Sequence, residues 1–171
     1  LVVIIAAFSG RIKNLTSELL IKYIGITDST IGNWENGIRK VKTYLHDEVK
    51  IDTSALRIVD GSGLSRYNLL SASQIVKLLA HIHGRNNGEV YVNTLPNGNE
   101  KNSSLEGRLL QAQDKIFAKT GSLSGVSCLS GYAFSSDHGP MAFSILINGF
   151  VGSIKPHRMF QDELCAWLVR D

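Results

Sequence analysis

The sequence predicts an α+β fold in which helices cover an antiparallel sheet, and three observations predict it. Apolar residues recur at helical spacing in several segments between Asn14 and Gly84. Three strand-like runs, 115–122, 126–134 and 141–150, then follow in close succession, forming a three-strand C-terminal meander. An amphipathic tail closes the chain. Helices first, a meander next and a last helix across it is a layered α+β arrangement.

Each element has a local reason. In "NLTSELLIKYIG", Asn14 can cap a helix, Leu15, Leu19, Leu20 and Tyr23 fall on one face, and Gly25 ends it. The polar segment "ITDSTIGNWENG" reads as a loop. In "IRKVKTYLHDEV", Ile38, Val41, Tyr44 and Leu45 share a helical face opposite basic residues. Residues 55–59, "ALRIV", form a short strand leading into the turn "DGSGLS". Ser71 and Gln74 make a capping-box pair. Behind it Ile75, Val76, Leu78, Leu79 and Ile82 supply the apolar face of a helix that Gly84 stops. The Asn- and Gly-rich stretch 85–104 reads as an exposed loop with at most a short extended piece. "SLSG" and "SSDHGP" are hairpin joints, so the three strands are antiparallel neighbours. In the tail "HRMFQDELCAWLVR", Met159, Phe160, Leu164, Trp167 and Leu168 are expected to face the sheet.

Composition bounds the function classes. At 171 residues, with 43% hydrophobic and 19% charged residues, the chain suits one folded domain, 1–171, without a disorder signature. The net charge is only +3 and the lysines and arginines are dispersed, which speaks against nucleic acid as a partner. The opening "LVVIIAAF" is too short to span a bilayer and has no basic segment before it. It reads as a buried helix or strand, and its abrupt start suggests a piece of a longer protein. Cys128 and Cys165 read as buried free thiols, with a bridge possible in an oxidising compartment. His81 and His83 diverge on a helix and His46, His138 and His157 are isolated, so no metal site and no cofactor is expected.

Two polar clusters stand out: "DGSGLSRYN" at 60–68, in a turn before a helix, and "KTGS" at 119–122, in a strand. Together with their flanks, "VDGSGLSRYNLLS" and "AKTGSLSGVSCLSGYA", they resemble the second and third motifs of the penicillin-recognising serine enzymes. The closer likeness is to the D-alanyl-D-alanine carboxypeptidase/endopeptidase branch, the class C low-molecular-mass penicillin-binding proteins. It reaches upstream through "NLTSELLIKYIG" and "NWENGIRKVKTYL" and is loosest in the Asn-rich loop. The resemblance implies a penicillin-binding-protein/β-lactamase-like transpeptidase fold. It further implies hydrolysis of a peptidoglycan stem peptide ending in D-Ala-D-Ala, β-lactams as inhibitors, and a periplasmic or other extracytoplasmic location.

Residue by residue, the resemblance assigns Ser65 and Lys119 to catalysis, with Ser65 relaying a proton under the bias of Lys119. Thr120 and Ser122 would bind the terminal carboxylate, and the Ser122 N–H would form half an oxyanion hole. Gly121 would let substrate lie against the strand edge. The family pattern Ser-x-Asn is altered here: Ser65 is followed by Arg66, Tyr67 and Asn68, so either Asn68 or Tyr67 fills the asparagine position. Asn68 is the residue chosen as substrate-binding. Without the first cluster, Lys119 would read as an ordinary solvent-facing strand lysine. No serine is followed three places later by lysine, so the resemblance puts nucleophile and base in an N-terminal remainder of the same enzyme. The alternative is a non-catalytic peptidoglycan-binding module. A β-lactamase shares the clamp, but no deacylating base is evident.

Overall fold

The computed structural model describes residues 14–27 and 30–170, so the reading of "LVVIIAAF" lies outside the described residues. The chain divides into two compact units at Gln74/Ile75.

In the first unit α1 (Asn14–Ile24) packs on α2 (Trp34–Asp47). The approach is close because Gly37 has no side chain: a Cβ there would lie 2.0 Å from the Ile21 carbonyl oxygen. The helix α2 starts earlier than the loop reading of 26–37 allowed, because the Asn33 side chain accepts the Asn36 N–H at 2.8 Å and caps it. Val41 and Leu45 are buried on its inner face, as their spacing predicts.

The orientation of α1 differs from expectation. Ser17 and Ile21 are buried, whereas Leu15, Leu19 and Tyr23 are exposed. The cause is Glu18, whose carboxylate accepts hydrogen bonds from Trp34 Nε1 and from the Gly61 and Ser62 backbones. Those bonds fix which face of the helix turns inward. The strand expected at 55–59 is reduced to a single bridge between Arg57 and Leu69.

The helix α3 (Ala72–His83) begins with the expected capping box: Gln74 Oε1 accepts the Ser71 N–H at 2.8 Å, and Ser71 Oγ accepts the Gln74 N–H at 3.2 Å. Ile75, Leu78, Leu79 and Ile82 are buried on it. The stretch 85–104 contains a short helix, α4 (Gly88–Val92), rather than an extended piece, because Tyr91 and Val92 are buried in the core.

The second unit is built on β1 (Ile116–Leu123), β2 (Val126–Ser135) and β3 (Gly139–Asn148), an antiparallel sheet in the order β1-β2-β3. The joints are short. Gly125 closes the first hairpin with φ +69°, and Ser135 Oγ accepts the Asp137 N–H in the second.

One face of the sheet (Ile116, Ala118, Leu129, Ala133, Phe143) packs with Cys165 and Val169 of the C-terminal segment, where α5 spans Lys155–Leu168. The tail therefore crosses the sheet as expected, with Leu168 of the expected face packed on the core, but its fully buried residues form another stripe. Gln161 and Cys165 are buried, while Met159, Phe160 and Trp167 are exposed. Arg108 sets this rotation: it binds Asp162 at 2.7 and 3.3 Å and Gln161 at 3.1 Å, drawing that polar side of the helix inward. On the opposite sheet face Tyr132 donates to the Leu79 carbonyl at 2.8 Å and meets Tyr91 edge-on. Cys128 and Cys165 are free thiols, the former half-buried.

Candidate functional site

The two sequence clusters fall in different units, Ser65 and Asn68 in the first and Lys119, Thr120, Gly121 and Ser122 in the second. Each has its own local logic.

The 59–69 segment is a loop that satisfies itself. The Asp60 carboxylate accepts the Gly63 N–H at 2.8 Å, the Ser65 N–H at 2.6 Å and the Asn68 amide at 2.9 Å. Asn68 Oδ1 in turn accepts the Val59 N–H at 2.9 Å, closing the ring. Glu18 takes the next two N–H groups, those of Gly61 and Ser62. Partial burial alone would raise the pKa of Glu18, but hydrogen bonds from Ser62, Trp34 and Gly61 outweigh it and hold the carboxyl below its usual range. Gly61 is required by proximity, since a Cβ would come within 2.4 Å of the Ser17 carbonyl oxygen.

The phrase "DGSGLSRYN" is thus explained by loop closure at Asp60, Gly61 and Asn68. Both ends of the Asn68 carboxamide serve the loop. Tyr67, the other candidate for that position, is exposed with the Arg57 guanidinium 5.3 Å from its ring centre. Ser65 Oγ accepts the Tyr67 N–H at 3.2 Å.

The strand cluster is different in kind. Ala118 pairs with Gly131 in β2, yet its N–H points the other way and donates to the Pro96 carbonyl at 2.9 Å. Backbone groups alternate along a strand, so the N–H and C=O of Thr120 and Ser122 also point off the sheet, away from β2. Among the described residues no strand pairs with that edge. Pro96 stops the edge at Ala118, and beyond it Thr120 and Ser122 present backbone donors and acceptors.

Side chains alternate too. Thr120 and Ser122 share the face that carries α5, and Lys119 and Gly121 share the other. Lys119 Nζ donates to the Thr120 carbonyl at 2.8 Å, curling over the strand edge. Burial pushes its pKa down, with no carboxylate offsetting it. Ser130, the cross-strand partner of Lys119, bonds to Ser144 Oγ at 2.8 Å, extending a row of hydroxyls across the sheet. A half-buried cation, two hydroxyls and an outward N–H on one strand edge can bind an anionic, extended peptide and polarise a carbonyl.

Two ties were invisible in the sequence. Glu18 sits unremarkably inside a helix pattern, and its reach to Gly61 spans 43 positions. Arg158, at the start of α5, donates to Ser122 Oγ at 3.4 Å across 36 positions. Among the described residues no group of His, Cys, Asp and Glu could hold a metal, and no helix is long and apolar enough to cross a membrane.

A three-strand meander with a free edge strand carrying Lys-Thr-Gly, backed by a C-terminal helix, defines the class: part of a penicillin-binding-protein-like transpeptidase fold. The comparisons make the family explicit. The model of the D-Ala-D-Ala carboxypeptidase 3 (S13) family matches residues 1–170, and the chain belongs to that family. It is 36% identical over 155 residues to the D-alanyl-D-alanine carboxypeptidase of Actinomadura sp. (strain R39), covering 87% of this chain and 28% of the relative. It is 31% identical over 122 residues to the D-alanyl-D-alanine carboxypeptidase DacB of Haemophilus influenzae, covering 69% of this chain and 25% of the relative. The crystal structure of penicillin binding protein 4 (dacB) from Haemophilus influenzae superposes with a TM-score of 0.81 at 25% identity, over 92% of this chain and 37% of the other. The same protein has been crystallised with a novel β-lactam. This chain therefore spans between a quarter and a third of the length of these two curated relatives.

Proposed function

We propose that the chain is the C-terminal part of a serine-type D-Ala-D-Ala carboxypeptidase/endopeptidase. In this reading it trims peptidoglycan stem peptides outside the cytoplasmic membrane, β-lactams inhibit it, and its two units are parts of one peptidase domain. The observation that carries the reading is the free edge of β1, where Thr120 and Ser122 turn their backbone groups outward beside a half-buried, carboxylate-free Lys119. Family membership supplies the chemical context.

The substrate lies along β1 as an added strand starting at Thr120, because Pro96 already holds the Ala118 N–H. Gly121, without a side chain, lets the peptide come close. The Thr120 and Ser122 hydroxyls receive the terminal carboxylate. The Ser122 N–H donates to the carbonyl oxygen as it becomes negative, a contribution of about 3 kcal/mol for one such donor. A serine from the remainder of the enzyme forms the acyl bond to that carbonyl carbon as the C–N bond breaks. The departing D-Ala takes the proton, and water then releases the acyl group. Lys119, whose charged form is disfavoured by burial, biases the local proton transfer. Ser65 is the proton relay from the first cluster and Asn68 a substrate contact. The local geometry favours the hydroxyl over the amide, since the amide already closes the loop.

Incubating the full-length protein with a fluorescent penicillin tests the reading. The expected result is one covalent adduct by intact mass, lost in Lys119→Ala. The Ser65→Ala variant is expected to lower release of D-Ala from a D-Ala-D-Ala peptide. A wild-type protein that binds peptidoglycan but forms no adduct and releases no D-Ala is the non-catalytic module instead.

A further inference from the structure

Arg158 has no part in the clamp described so far, yet it stands beside it. It lies in the first turn of α5, half-buried, with its Nη2 3.4 Å from Ser122 Oγ. Among the described residues no carboxylate comes within ion-pair distance of its guanidinium; the acidic residue nearby, Asp162, is taken by Arg108 at 2.7 Å. Its backbone is held as well, because Arg108 Nη2 donates to the Arg158 carbonyl at 3.3 Å. An arginine whose main chain is anchored, whose charge is unpaired and whose head meets the last hydroxyl of an anion-binding strand is set to receive an anion.

We infer that Arg158 is a specificity-determining residue that pairs with the free C-terminal carboxylate of the substrate, sharing it with the Ser122 hydroxyl. The inference rests on the proposed peptidase reading and deepens it. Lys119 lies on the opposite face of β1 from Ser122, so the strand edge carries one cation per side with separate tasks. The lysine biases proton transfer near the scissile carbonyl, and the arginine recognises the chain end. A guanidinium offers a planar fork of donors that matches a carboxylate, which a point-charge ammonium does not. The contact selects peptides that end one residue past the scissile bond over peptides that continue further, and so favours carboxypeptidase over endopeptidase action.

The test compares two substrates on the full-length enzyme, a stem peptide ending in D-Ala-D-Ala as free acid and the same peptide as C-terminal amide. In the wild type the free acid is expected to be preferred. Arg158→Ala should lower kcat/KM for the free acid about ten- to hundredfold, as expected for loss of a charge-assisted hydrogen bond, mostly through KM. It should leave the amide within about twofold of the wild type. Arg158→Lys should recover part of the loss, and an unchanged melting temperature for both variants would show that the fold is intact. An equal loss on both substrates, or no loss on either, overturns the role of Arg158. A wild-type enzyme that cleaves neither peptide overturns the peptidase reading itself, which separates the two failures.

Discussion

Arg108 and Asp162 are the polar tie between the 97–114 segment and α5, and removing one without the other is the sharpest stability test of the second unit. The Arg108 side chain is 12% exposed and that of Asp162 27%. The guanidinium makes four bonds, two to Asp162 at 2.7 and 3.3 Å, one to Gln161 at 3.1 Å and one to the Arg158 carbonyl at 3.3 Å. In Asp162→Asn the shape is kept and the counter-charge is lost, leaving a largely buried cation unpaired. Breaking a fully buried pair costs about 3–5 kcal/mol, and the partial exposure of Asp162 places this one at about 2–3 kcal/mol. For 171 residues unfolding together, that is a fall in Tm of about 4–12 °C. Removing both charges in Arg108→Met/Asp162→Leu leaves no unpaired charge and should return the protein to within about 1 kcal/mol of wild type. Thermal and denaturant unfolding of the wild type, both single variants and the double close the thermodynamic cycle. If Asp162→Asn costs under about 0.5 kcal/mol, the pair behaves as a surface ion pair and the reasoning fails. It fails equally if the double variant costs the sum of the singles.

Lys119→Met should uncouple stability from function. Below its lowered folded-state pKa, Lys119 is protonated in both folded and unfolded chains, and the burial penalty is fully present. Between that value and the ordinary 10.5, the unfolded chain binds more protons, so wild-type stability rises with pH in that window. Methionine removes the penalty: Tm at pH 7 should rise and the pH slope flatten, while acylation by penicillin is lost. A lower Tm would contradict the assignment of burial as the cause. Gly131→Ala probes the opposite strand, where a Cβ would lie 2.1 Å from the Phe117 carbonyl oxygen and 2.6 Å from Ala118 Cα. Both are backbone atoms of β1 and cannot step aside. We expect a loss of at least about 2 kcal/mol by chemical denaturation, and acylation that falls with it. A neutral effect would mean that β1 is free to shift.

The sheet was legible because its information is local. Each strand has alternating residues and its own turn, and the short joints leave antiparallel pairing as the simple solution. The capping box at Ser71 and Gln74 was legible for the same reason. What escaped was decided at long range. Leu15, Leu19 and Tyr23 have the spacing of a core face, yet Glu18, reaching the N–H groups of Gly61 and Ser62, turns another face inward. Met159, Phe160 and Trp167 look like the buried side of the tail, but Arg108 draws Gln161 and Asp162 in. In both helices one charged side chain with distant partners outweighed the apolar pattern, since a half-buried charge costs more unsatisfied than an apolar residue costs exposed. The first cluster shows the converse. "DGSGLSRYN" stood out by composition, and much of that composition is what a tight self-bonded loop needs.

On the proposed reading, the second cluster works through its register rather than through the presence of lysine, threonine and glycine alone. A slip of β1 by one residue would exchange its faces, sending the Thr120 and Ser122 hydroxyls toward the Lys119 side and turning their N–H groups into the sheet. Two features oppose that slip. Pro96 accepts the outward N–H of Ala118, which fixes the phase of the backbone. Gly131, facing Ala118, leaves room for one close approach that no residue with a side chain could occupy. Arg108 then fixes α5 against the same sheet, so that Arg158 meets Ser122 and not its neighbour. On that reading the proposed clamp depends on Pro96, Gly131 and Arg108, none of which is assigned a substrate contact. A variant that loosens Pro96 or Gly131 should damage carboxylate recognition and oxyanion stabilisation together, whereas Arg158→Ala should damage only the first.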